Sequence, residues 1–485
     1  MIKVVIFISG GILPVLSLSL TPSIVSAFIF NNSIYGIYLI LLSLFSLIVS
    51  LLIRKIVTPV RQLTTIQGFG AVGLSWFLIS LYGTIPYVLS GIELSYINIY
   101  FETVSGLTTT GSTILTDISS VDKSLLVWRS TTQWLGGMGI IVLTITILPL
   151  LGTGGINLFK AESPGPSADR LTPKFKDTAK LLWIVYISLT VLETILLYFA
   201  GLSFYDAFNH SLTTMPTGGF STFDSSISEF SSLAKLIINI FIFLAGTSFI
   251  LLLKTIRMKS FSEMFKSSEF LFYLFIILST ATIFSFKTMS LSDNIFENIN
   301  NSLFTSLTLV TGTGYTVLDY ENWNINYRTF ILGLMFLGGM AGSTAGGIKT
   351  IRVIALLKSV RNEIRKIIYP NAIFKIRMSK SILPEKMIES VQTFFILYVA
   401  IFVLGTFSIS ATSSLMGNPL SFEGALSAAA SALNNIGPAL GELGPTKNYY
   451  FLDSYTKLVI NLLMIIGRLE IFPIALLLYK KTWKS

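Results

Sequence analysis

The sequence contains no cysteine and only one histidine, His210. The absence of cysteine excludes disulfides, thiolate catalysis and cysteine-ligated metal sites, and one histidine cannot form a histidine-based metal centre. Charged residues are also scarce at 12%, against about 25% in a typical soluble domain. A chain with so little charge has no water-facing shell, which indicates that lipid is its solvent.

Apolar sequence takes the place of the missing charge: 52% of the residues are hydrophobic and the mean hydropathy is +0.74. A membrane-spanning helix needs about 20 mostly apolar residues. Ten segments meet this requirement: 4–30, 35–54, 69–91, 128–151, 179–200, 233–256, 270–287, 328–358, 388–412 and 456–480. The first lacks a convincing signal-peptidase site, so we expect a retained helix rather than a secretory signal.

Basic residues are concentrated in alternate loops. If the ten spans are threaded in order, the basic segments fall on one side of the membrane: 54–61, 160–180, 254–266, 349–386 and the tail from 480. The positive-inside rule then predicts cytoplasmic termini and an acidic outer face. Charge alone leaves open whether the outer acids attract cations or only reflect the avoidance of basic residues outside.

Four of the outer loops contain a second apolar stretch that is too short to cross a membrane, which suggests re-entrant segments. These stretches are 96–110, 203–216, 295–312 and 421–435, and the glycines that follow them are Gly111, Gly218, Gly314 and Gly437. The glycines are spaced by 107, 96 and 123 residues. In the first three units, threonine directly precedes the glycine and phenylalanine stands ten residues before it (Phe101, Phe208 and Phe304).

This recurrence predicts an all-α membrane protein with four pseudo-repeats of helix, re-entrant pore helix and helix around a central pore. A two-helix extension precedes the repeats, and the fourth repeat has diverged. The expected units are 1–60 for the extension and 61–160, 161–266, 267–386 and 387–485 for the repeats.

Four glycine-bearing segments that meet head-on can form a cation filter. Glycine adopts positive φ at little cost, so successive carbonyls can point at one axis and replace the hydration shell of a cation. A single glycine is more often a plain turn or helix cap, but four in corresponding places favour the filter. The predicted filter consists of Thr109, Thr110, Gly111, Thr217, Gly218, Gly219, Thr313, Gly314, Tyr315, Asn435, Ile436 and Gly437.

The eighth span is rich in glycine, and each interior glycine costs a helix about 1 kcal/mol relative to alanine. We therefore predict an irregular loop that narrows the pore beneath the filter, in which hydroxyl side chains satisfy freed backbone groups. The alternative is a close-packing face between helices. The predicted gate residues in this span are Gly338, Gly339, Gly342, Ser343, Thr344, Gly346 and Gly347.

Arg468 lies within the last predicted span and is the final predicted gate residue. An arginine at membrane depth needs a partner or a wet cavity. Beneath a cation filter its charge would raise the barrier to permeation. The alternative is a structural ion pair with Glu470 or another acid.

Several stretches resemble the TrkH/TrkG/KtrB family of potassium transporters, and the resemblance covers nearly the whole chain. These stretches are 105–111, 133–139, 163–166 with 171–173, 217–222, 338–349 and 467–470. The two-helix extension is similar to TrkH rather than to the shorter KtrB type. The resemblance implies a bacterial plasma (inner) membrane protein that takes up K⁺.

In the family, glycine in all four filters accompanies a preference for K⁺. This chain has glycine in the first filter, at Gly111, and we therefore favour K⁺ as its ion. Asn435 and Pro438 depart from the Thr-Gly pattern, so we expect only moderate discrimination against Na⁺.

The resemblance also implies partners. It implies a homodimer with one pore per protomer and a cytosolic ring of nucleotide-binding regulatory subunits of the TrkA type. Membrane lipid is the other expected neighbour. No nucleic-acid partner and no cofactor are expected, since K⁺ is the transported ion.

Three functional classes compete. The first is a channel-like K⁺ uptake protein driven by the membrane potential. The second is a symporter coupled to H⁺ or Na⁺, which needs a titrating or second-ion site. Glu193 in the fifth span could relay protons, although we favour helix–helix hydrogen bonding for it. The third is a membrane enzyme or lipid-handling scaffold, for which the sequence offers no nucleophile–base set and no catalytic residue.

Overall fold

The computed structural model describes residues 2–57, 65–150, 175–290, 294–379, 381–480 and 483. The family-like stretches 163–166 and 171–173 lie outside the described residues. So do much of the basic segment 160–180, part of segment 54–61 and the expected unit boundaries at 60 and 160. The division into units therefore stays a prediction.

The described chain is almost entirely helical. Its helices are α1 Ile2–Ser19, α2 Thr21–Ile29, α3 Ser33–Ile56, α4 Thr65–Gly83, α5 Ile85–Leu89, α6 Tyr96–Leu107, α7 Lys123–Leu150, α8 Phe175–Phe199, α9 Phe204–Thr214, α10 Ser232–Gly246, α11 Phe249–Met258, α12 Ser262–Phe265, α13 Ser268–Thr288, α14 Ile295–Thr311, α15 Ile325–Leu334, α16 Thr350–Ile368, α17 Glu385–Leu415, α18 Phe422–Asn434, α19 Ser454–Arg468 and α20 Phe472–Leu477. Short 3₁₀ turns span Tyr320–Asn322 and Gly441–Leu443, and strands β1 (Arg377–Met378) and β2 (Ser381–Ile382) form an antiparallel hairpin.

Six helical stretches of the described chain are long and apolar enough to cross a membrane. They are Lys3–Ile29, Ser33–Ile56, Ile66–Leu89, Ala179–Phe199, Ser268–Thr288 and Glu385–Leu415. A seventh span results if α10 and α11, which are bent by 100° at their junction, are counted together. The fourth predicted span, 128–151, is helical as part of α7 up to Leu150, where the described range ends.

Besides the span that is bent between α10 and α11, the predicted spans 328–358 and 456–480 are interrupted. The span 328–358 is helical only to Leu334 and from Thr350, which confirms the predicted irregular loop. The span 456–480 breaks after Arg468, where Glu470 and Ile471 adopt φ values of 57° and 71°. The helix restarts with Pro473 in its first turn, where the missing N–H of proline leaves no intrahelical bond unmade. Arg468 therefore lies at a helix end and not in mid-helix as predicted.

The N-terminal helices pack through small polar residues. The Ser50 hydroxyl of α3 donates to the Gly10 carbonyl of α1 (2.6 Å), and the hydroxyls of Ser17 and Ser43 are 2.8 Å apart. Small residues let helix backbones approach closely, which is the usual means of helix association in lipid. Large apolar side chains of α3 such as Phe45 and Leu51 remain exposed, which is the surface expected to face lipid.

Four short helices, α6, α9, α14 and α18, occupy the four predicted re-entrant stretches. Each begins with a side-chain cap, in which Ser95, Ser203, Asn294 or Ser421 accepts a hydrogen bond from a backbone N–H of the first turn. Such caps satisfy N–H groups that the helix itself leaves free. Nearly every residue in the second half of each helix is buried, so the short helices end inside the protein.

Candidate functional site

The four short helices end in the same backbone arrangement. The N–H groups of Thr110, Gly218, Thr313 and Ile436 each donate to the carbonyl five residues earlier, at 2.8, 2.9, 2.9 and 3.0 Å. The residue before each of them has positive φ, and so has the residue after. The positive-φ pairs are Thr109 and Gly111, Thr217 and Gly219, Gly312 and Gly314, and Asn435 and Gly437. We call the three-residue segments 109–111, 217–219, 312–314 and 435–437 the tips.

This pattern corrects the sequence alignment of the second unit by one residue. Gly219, with φ of 73°, corresponds to Gly111, and Gly218 corresponds to Thr110. The alignment on Gly218 was wrong, and Phe208 is not equivalent to Phe101. The second tip contains two adjacent glycines, so the sequence could not show which one adopts positive φ. A side chain at Gly218 would meet the carboxamide of Gln133, which explains the extra glycine.

The tips also form a closed ring. A Cβ atom added to the last glycine of any tip would collide with the middle carbonyl of another tip. In order, Gly111 lies against the carbonyl of Gly218, Gly219 against that of Thr313, Gly314 against that of Ile436, and Gly437 against that of Thr110. The contacts run from the first tip to the second, third and fourth and back to the first. The structure therefore brings residues from all four predicted filter segments together in one ring.

One member of the predicted set has a different position and one residue was missed. Tyr315 follows the third tip, and its hydroxyl lies 2.5 Å from that of Thr213 on the second short helix. Its side chain therefore packs behind the ring. Gly312, with φ of 71°, opens the third tip. It stands where the first two tips have threonine, and the Thr-Gly pattern did not point to it.

A cavity of about 140 Å³ borders the ring. Its lining includes the last glycine of every tip together with residues that follow the tips, such as Phe220 and Pro438. Asp224 also lines it. Nearby, hydrogen bonds from the Ser119 hydroxyl and the Ser120 N–H lower the pKa of Asp117 below its ordinary value. The loop beside the cavity therefore keeps a negative charge.

A buried ion pair supports the first and second tips from behind. Glu102 of α6 accepts from Arg129 Nε of α7 at 2.7 Å and from the N–H of Ile114 at 2.8 Å. Arg129 also donates to the Ser221 carbonyl at 2.9 Å and stacks on the Phe220 ring, 3.5 Å from its centroid. The pair therefore ties the chain beyond the first tip to the chain beyond the second.

Gln133, one turn further along α7, holds the second tip itself. Its Nε2 donates to the Gly218 carbonyl at 2.6 Å, and its Oε1 accepts from the Phe220 N–H at 3.1 Å. The site residues predicted from the sequence do not include Glu102, Arg129 or Gln133. The available signal was the one-turn spacing of Arg129 and Gln133 near the start of the predicted span 128–151, the first span after the first tip.

The loop 335–349 lies on the other side of the ring from the cavity. Its Thr344 hydroxyl donates to the carbonyl of Met215, at the end of α9, at 2.9 Å. Gly346 lies so close to the carbonyl of Asn434, the last residue of α18, that a Cβ would collide with it. The predicted gate residues are therefore gathered beneath the ends of the short helices.

The same loop forms hydrogen bonds with backbone groups that the bend between α10 and α11 leaves free. The Met340 N–H donates to the Gly246 carbonyl (2.9 Å), and the Phe249 N–H donates to the Gly342 carbonyl (3.0 Å). Glu269 accepts from the Ala341 N–H at 2.7 Å and from the Thr350 hydroxyl at 2.9 Å. The middle of the loop and the residue that follows it are thus bonded to neighbouring helices.

Arg468 connects the loop to α7. It donates to the Thr344 carbonyl (3.0 Å) and to the Gly136 carbonyl (2.8 Å), and it is 4% exposed. The alternative of an ion pair with Glu470 is wrong, because Glu470 pairs with Arg352 at 2.5 Å. Among the described residues, no acid forms an ion pair with Arg468. Its hydrogen bonds go to backbone carbonyls, and Glu470 acts on its charge only from beyond ion-pair distance.

Two other polar residues singled out in the sequence are buried behind the second tip. His210 has both ring nitrogens bonded, to the Asp206 carbonyl (2.8 Å) and the Ser221 hydroxyl (3.1 Å). Glu193 of α8 is buried, and neither carboxylate oxygen has a hydrogen-bond partner in the described structure. The Thr214 hydroxyl faces this carboxyl but donates to the His210 carbonyl at 2.8 Å. The Thr214 hydroxyl belongs to α9, so the helix–helix hydrogen bond expected for Glu193 stays a prediction with Thr214 as its partner.

The apolar spans and the buried helix ends define an integral membrane protein of the transport class. A family model described as cation transport protein, TrkH, matches residues 40–484. The chain belongs to this family of transporters, and the family resemblance seen in the sequence is confirmed.

Individual relatives agree with this assignment. The chain is 34% identical over 488 residues, 100% of both chains, to the Trk system potassium uptake protein TrkH of Halomonas elongata. It is 34% identical over 432 residues, 87% of both chains, to the protein of the same name from Escherichia coli, and 31% identical over 488 residues to TrkG of that organism, covering 100% of this chain and 99% of TrkG. The crystal structure of the potassium transporter TrkH from Vibrio parahaemolyticus superposes with a TM-score of 0.87 at 29% identity over 100% of both chains.

The Glu102–Arg129 pair gives a first prediction. Replacing Arg129 by methionine leaves the Glu102 carboxylate buried without its countercharge, which costs roughly 3–5 kcal/mol. We expect Arg129→Met to lower the melting temperature in detergent strongly. The double variant Glu102→Gln, Arg129→Met should recover part of the loss, since no charge is left unpaired.

Lys123→Met is the matched control, because Lys123 is an exposed base on the same helix. Its melting temperature should stay close to that of the unmodified protein. An Arg129→Met protein as stable as the control would contradict a supporting role for the pair.

Proposed function

We propose that this chain takes up K⁺ across the plasma membrane through a gated, channel-like pore whose selectivity filter is the ring of four tips. The closed ring carries the proposal, because backbone carbonyls of all four segments lie at the contacts between neighbouring tips. Non-helical backbone at membrane depth is tolerated where it lines a water-filled cavity, and this ring borders a cavity. The relatives named as potassium uptake proteins support K⁺ as the ion.

The chemistry of the ring suits a large, weakly hydrated cation. Backbone carbonyls replace the hydration shell of K⁺ in filters of this kind, and no carboxylate belongs to any tip. The four short helices end at the ring, so their negative C-terminal ends add up to about 2 kcal/mol of stabilisation for a cation in a favourable geometry. The charge retained by Asp117 beside the cavity favours cation entry.

The membrane potential supplies the driving force, at about 2.3 kcal/mol per charge per 100 mV. A second candidate is symport with H⁺, and the observation that favours it is the buried, unbonded carboxyl of Glu193. Buried ionisable residues in membrane spans commonly mark proton paths. Symport predicts that a K⁺ gradient moves protons, whereas a channel-like pore does not.

The loop 335–349 is the proposed gate, with Arg468 as the residue that holds it. The loop contacts the ends of α9 and α18 beneath the filter, on the path of an ion that has passed the ring. The guanidinium of Arg468 is bonded to this loop. It places a fixed positive charge beside the path and thereby raises the barrier for a cation.

Flux through the purified protein tests the transported ion. Liposomes that contain only this chain should take up Rb⁺ down an imposed potential, and reversal potentials in K⁺/Na⁺ mixtures should show a moderate preference for K⁺. A pH-sensitive dye inside the liposomes should report no proton movement driven by a K⁺ gradient. Lack of K⁺/Na⁺ discrimination would contradict the filter, and proton movement that is lost in Glu193→Gln would establish symport instead.

Two variants test the gate. Arg468→Ala removes a like charge from the path, and about 1 kcal/mol of repulsion corresponds to roughly a fivefold increase in K⁺ flux. Deletion of residues 342–347 should also raise the flux, since it removes the constriction. Arg468→Lys keeps the charge and is the control, with flux expected close to that of the unmodified protein. Unchanged or lower flux in a folded, membrane-inserted Arg468→Ala protein would contradict the gating role.

The proposed partners are a second copy of this chain and cytosolic nucleotide-binding subunits of the TrkA type. The relatives are named as parts of Trk systems, which supports a regulatory partner. The exposed face of α16 offers the regulatory partner a surface, where Arg361 and Lys366 accompany the apolar residues Val360 and Ile364.

Light scattering tests the proposed dimer. The detergent-solubilised protein should give about twice the chain mass of 53.4 kDa, and a monomeric mass would contradict the dimer.

A further inference from the structure

The fourth tip differs from the other three in the surroundings of its last carbonyl. The Gly437 carbonyl oxygen has three hydroxyl groups around it, those of Ser112, Ser431 and Tyr449, each at 2.9 Å. All three side chains are buried. A carbonyl oxygen has two lone pairs, so these donors saturate it.

The corresponding carbonyls of the other tips are free. Within the described ranges, the oxygens of Gly111, Gly219 and Gly314 accept no hydrogen bond from the protein. All three glycines line the cavity. Their carbonyls are therefore available to an ion or to water, whereas the Gly437 carbonyl is already bonded to the protein.

The orientation of the peptide planes explains the difference. In the second tip, the N–H of Phe220 donates to Gln133 Oε1 behind the ring (3.1 Å). The C=O and N–H of a trans peptide point in opposite directions, so the Gly219 carbonyl is directed away from Gln133 and towards the axis.

The Gly437–Pro438 peptide has no N–H, because proline lacks this donor. Its carbonyl can therefore turn into the protein without directing an N–H at the axis. An N–H in that position would repel a cation, because its hydrogen carries a partial positive charge. Pro438 lines the cavity, and its Cδ lies 3.1 Å from the position of a Cβ on Gly314. The proline side of this peptide thus faces the ring while the carbonyl faces Tyr449.

We propose that the fourth tip withholds its Gly437 carbonyl from the filter, so that the site nearest the cavity offers three glycine carbonyls and not four. Tyr449, together with Ser112 and Ser431, is then a specificity-determining residue, although it touches no ion itself. The proposal rests on the filter function proposed above. Discrimination between K⁺ and Na⁺ depends on the number and field strength of the coordinating carbonyls. A site with three of them leaves the ion partly hydrated and therefore discriminates less.

The test is to release this carbonyl. In the double variant Tyr449→Phe, Ser431→Ala, two of the three donors are lost, and the Gly437 oxygen becomes free to turn towards the ion. We expect the K⁺/Na⁺ permeability ratio from reversal potentials to rise roughly two- to fivefold. Tyr450→Phe is the matched control, since this neighbouring tyrosine is 48% exposed and its hydroxyl does not bond the ring; its ratio should be unchanged.

An unchanged or lower ratio in a double variant that keeps its melting temperature and conducts K⁺ would overturn the proposal. If the double variant does not fold, Rb⁺ anomalous density in crystals of the unmodified protein decides. The outermost ion should contact the carbonyls of Gly111, Gly219 and Gly314, and a shell that includes Gly437 would overturn the proposal. If the unmodified protein passes no K⁺ at all, the filter function fails instead, so the two failures are distinguishable.

Discussion

The structure depends on a close contact between backbone and backbone, in which the last glycine of one tip lies against the carbonyl oxygen of another. This contact recurs four times and closes on itself, so a side chain on any of these glycines would open the ring. The rest of the structure serves to hold the contact. The short helices are capped at one end, buried along their second halves and bonded by the same backbone pattern at the other. Polar side chains from α7 then fix the first and second tips from behind.

Buried polar groups surround that ring, and they are not arranged with fourfold regularity. Gln133 holds the second tip by its N–H side, while Tyr449 and two serines hold the fourth by its carbonyl. Buried polar groups must be paired to avoid a large desolvation cost, so each support also determines which way a peptide faces. A filter made from one chain can therefore differ among its quarters in a way that a ring of four identical subunits cannot.

Below the ring, three of the predicted spans are bent or broken. At two of these breaks, the freed backbone groups form hydrogen bonds with each other. The bend between α10 and α11 frees the Gly246 carbonyl and the Phe249 N–H, and the loop 335–349 supplies the partners for both. Arg468, at the end of α19, adds two hydrogen bonds from its guanidinium, one of them to the loop. Irregular backbone survives inside a membrane protein only if its polar groups are bonded. The loop therefore has few ways to move without exchanging several hydrogen bonds together.

The sequence by itself determined the membrane class, the four short segments, the glycine-rich interruption and the family, because long apolar runs and repeated glycines are local properties of the chain. It placed the second tip one residue too early, since adjacent glycines at 218 and 219 look alike until φ is known. It missed Gly312, the Glu102–Arg129 pair and Gln133. It also suggested Glu470 as an ion-pair partner of Arg468, although Glu470 pairs with Arg352. These choices belong to the tertiary structure, because they depend on contacts between residues as far apart as Ser112 and Gly437, and only the closed ring brings such residues together.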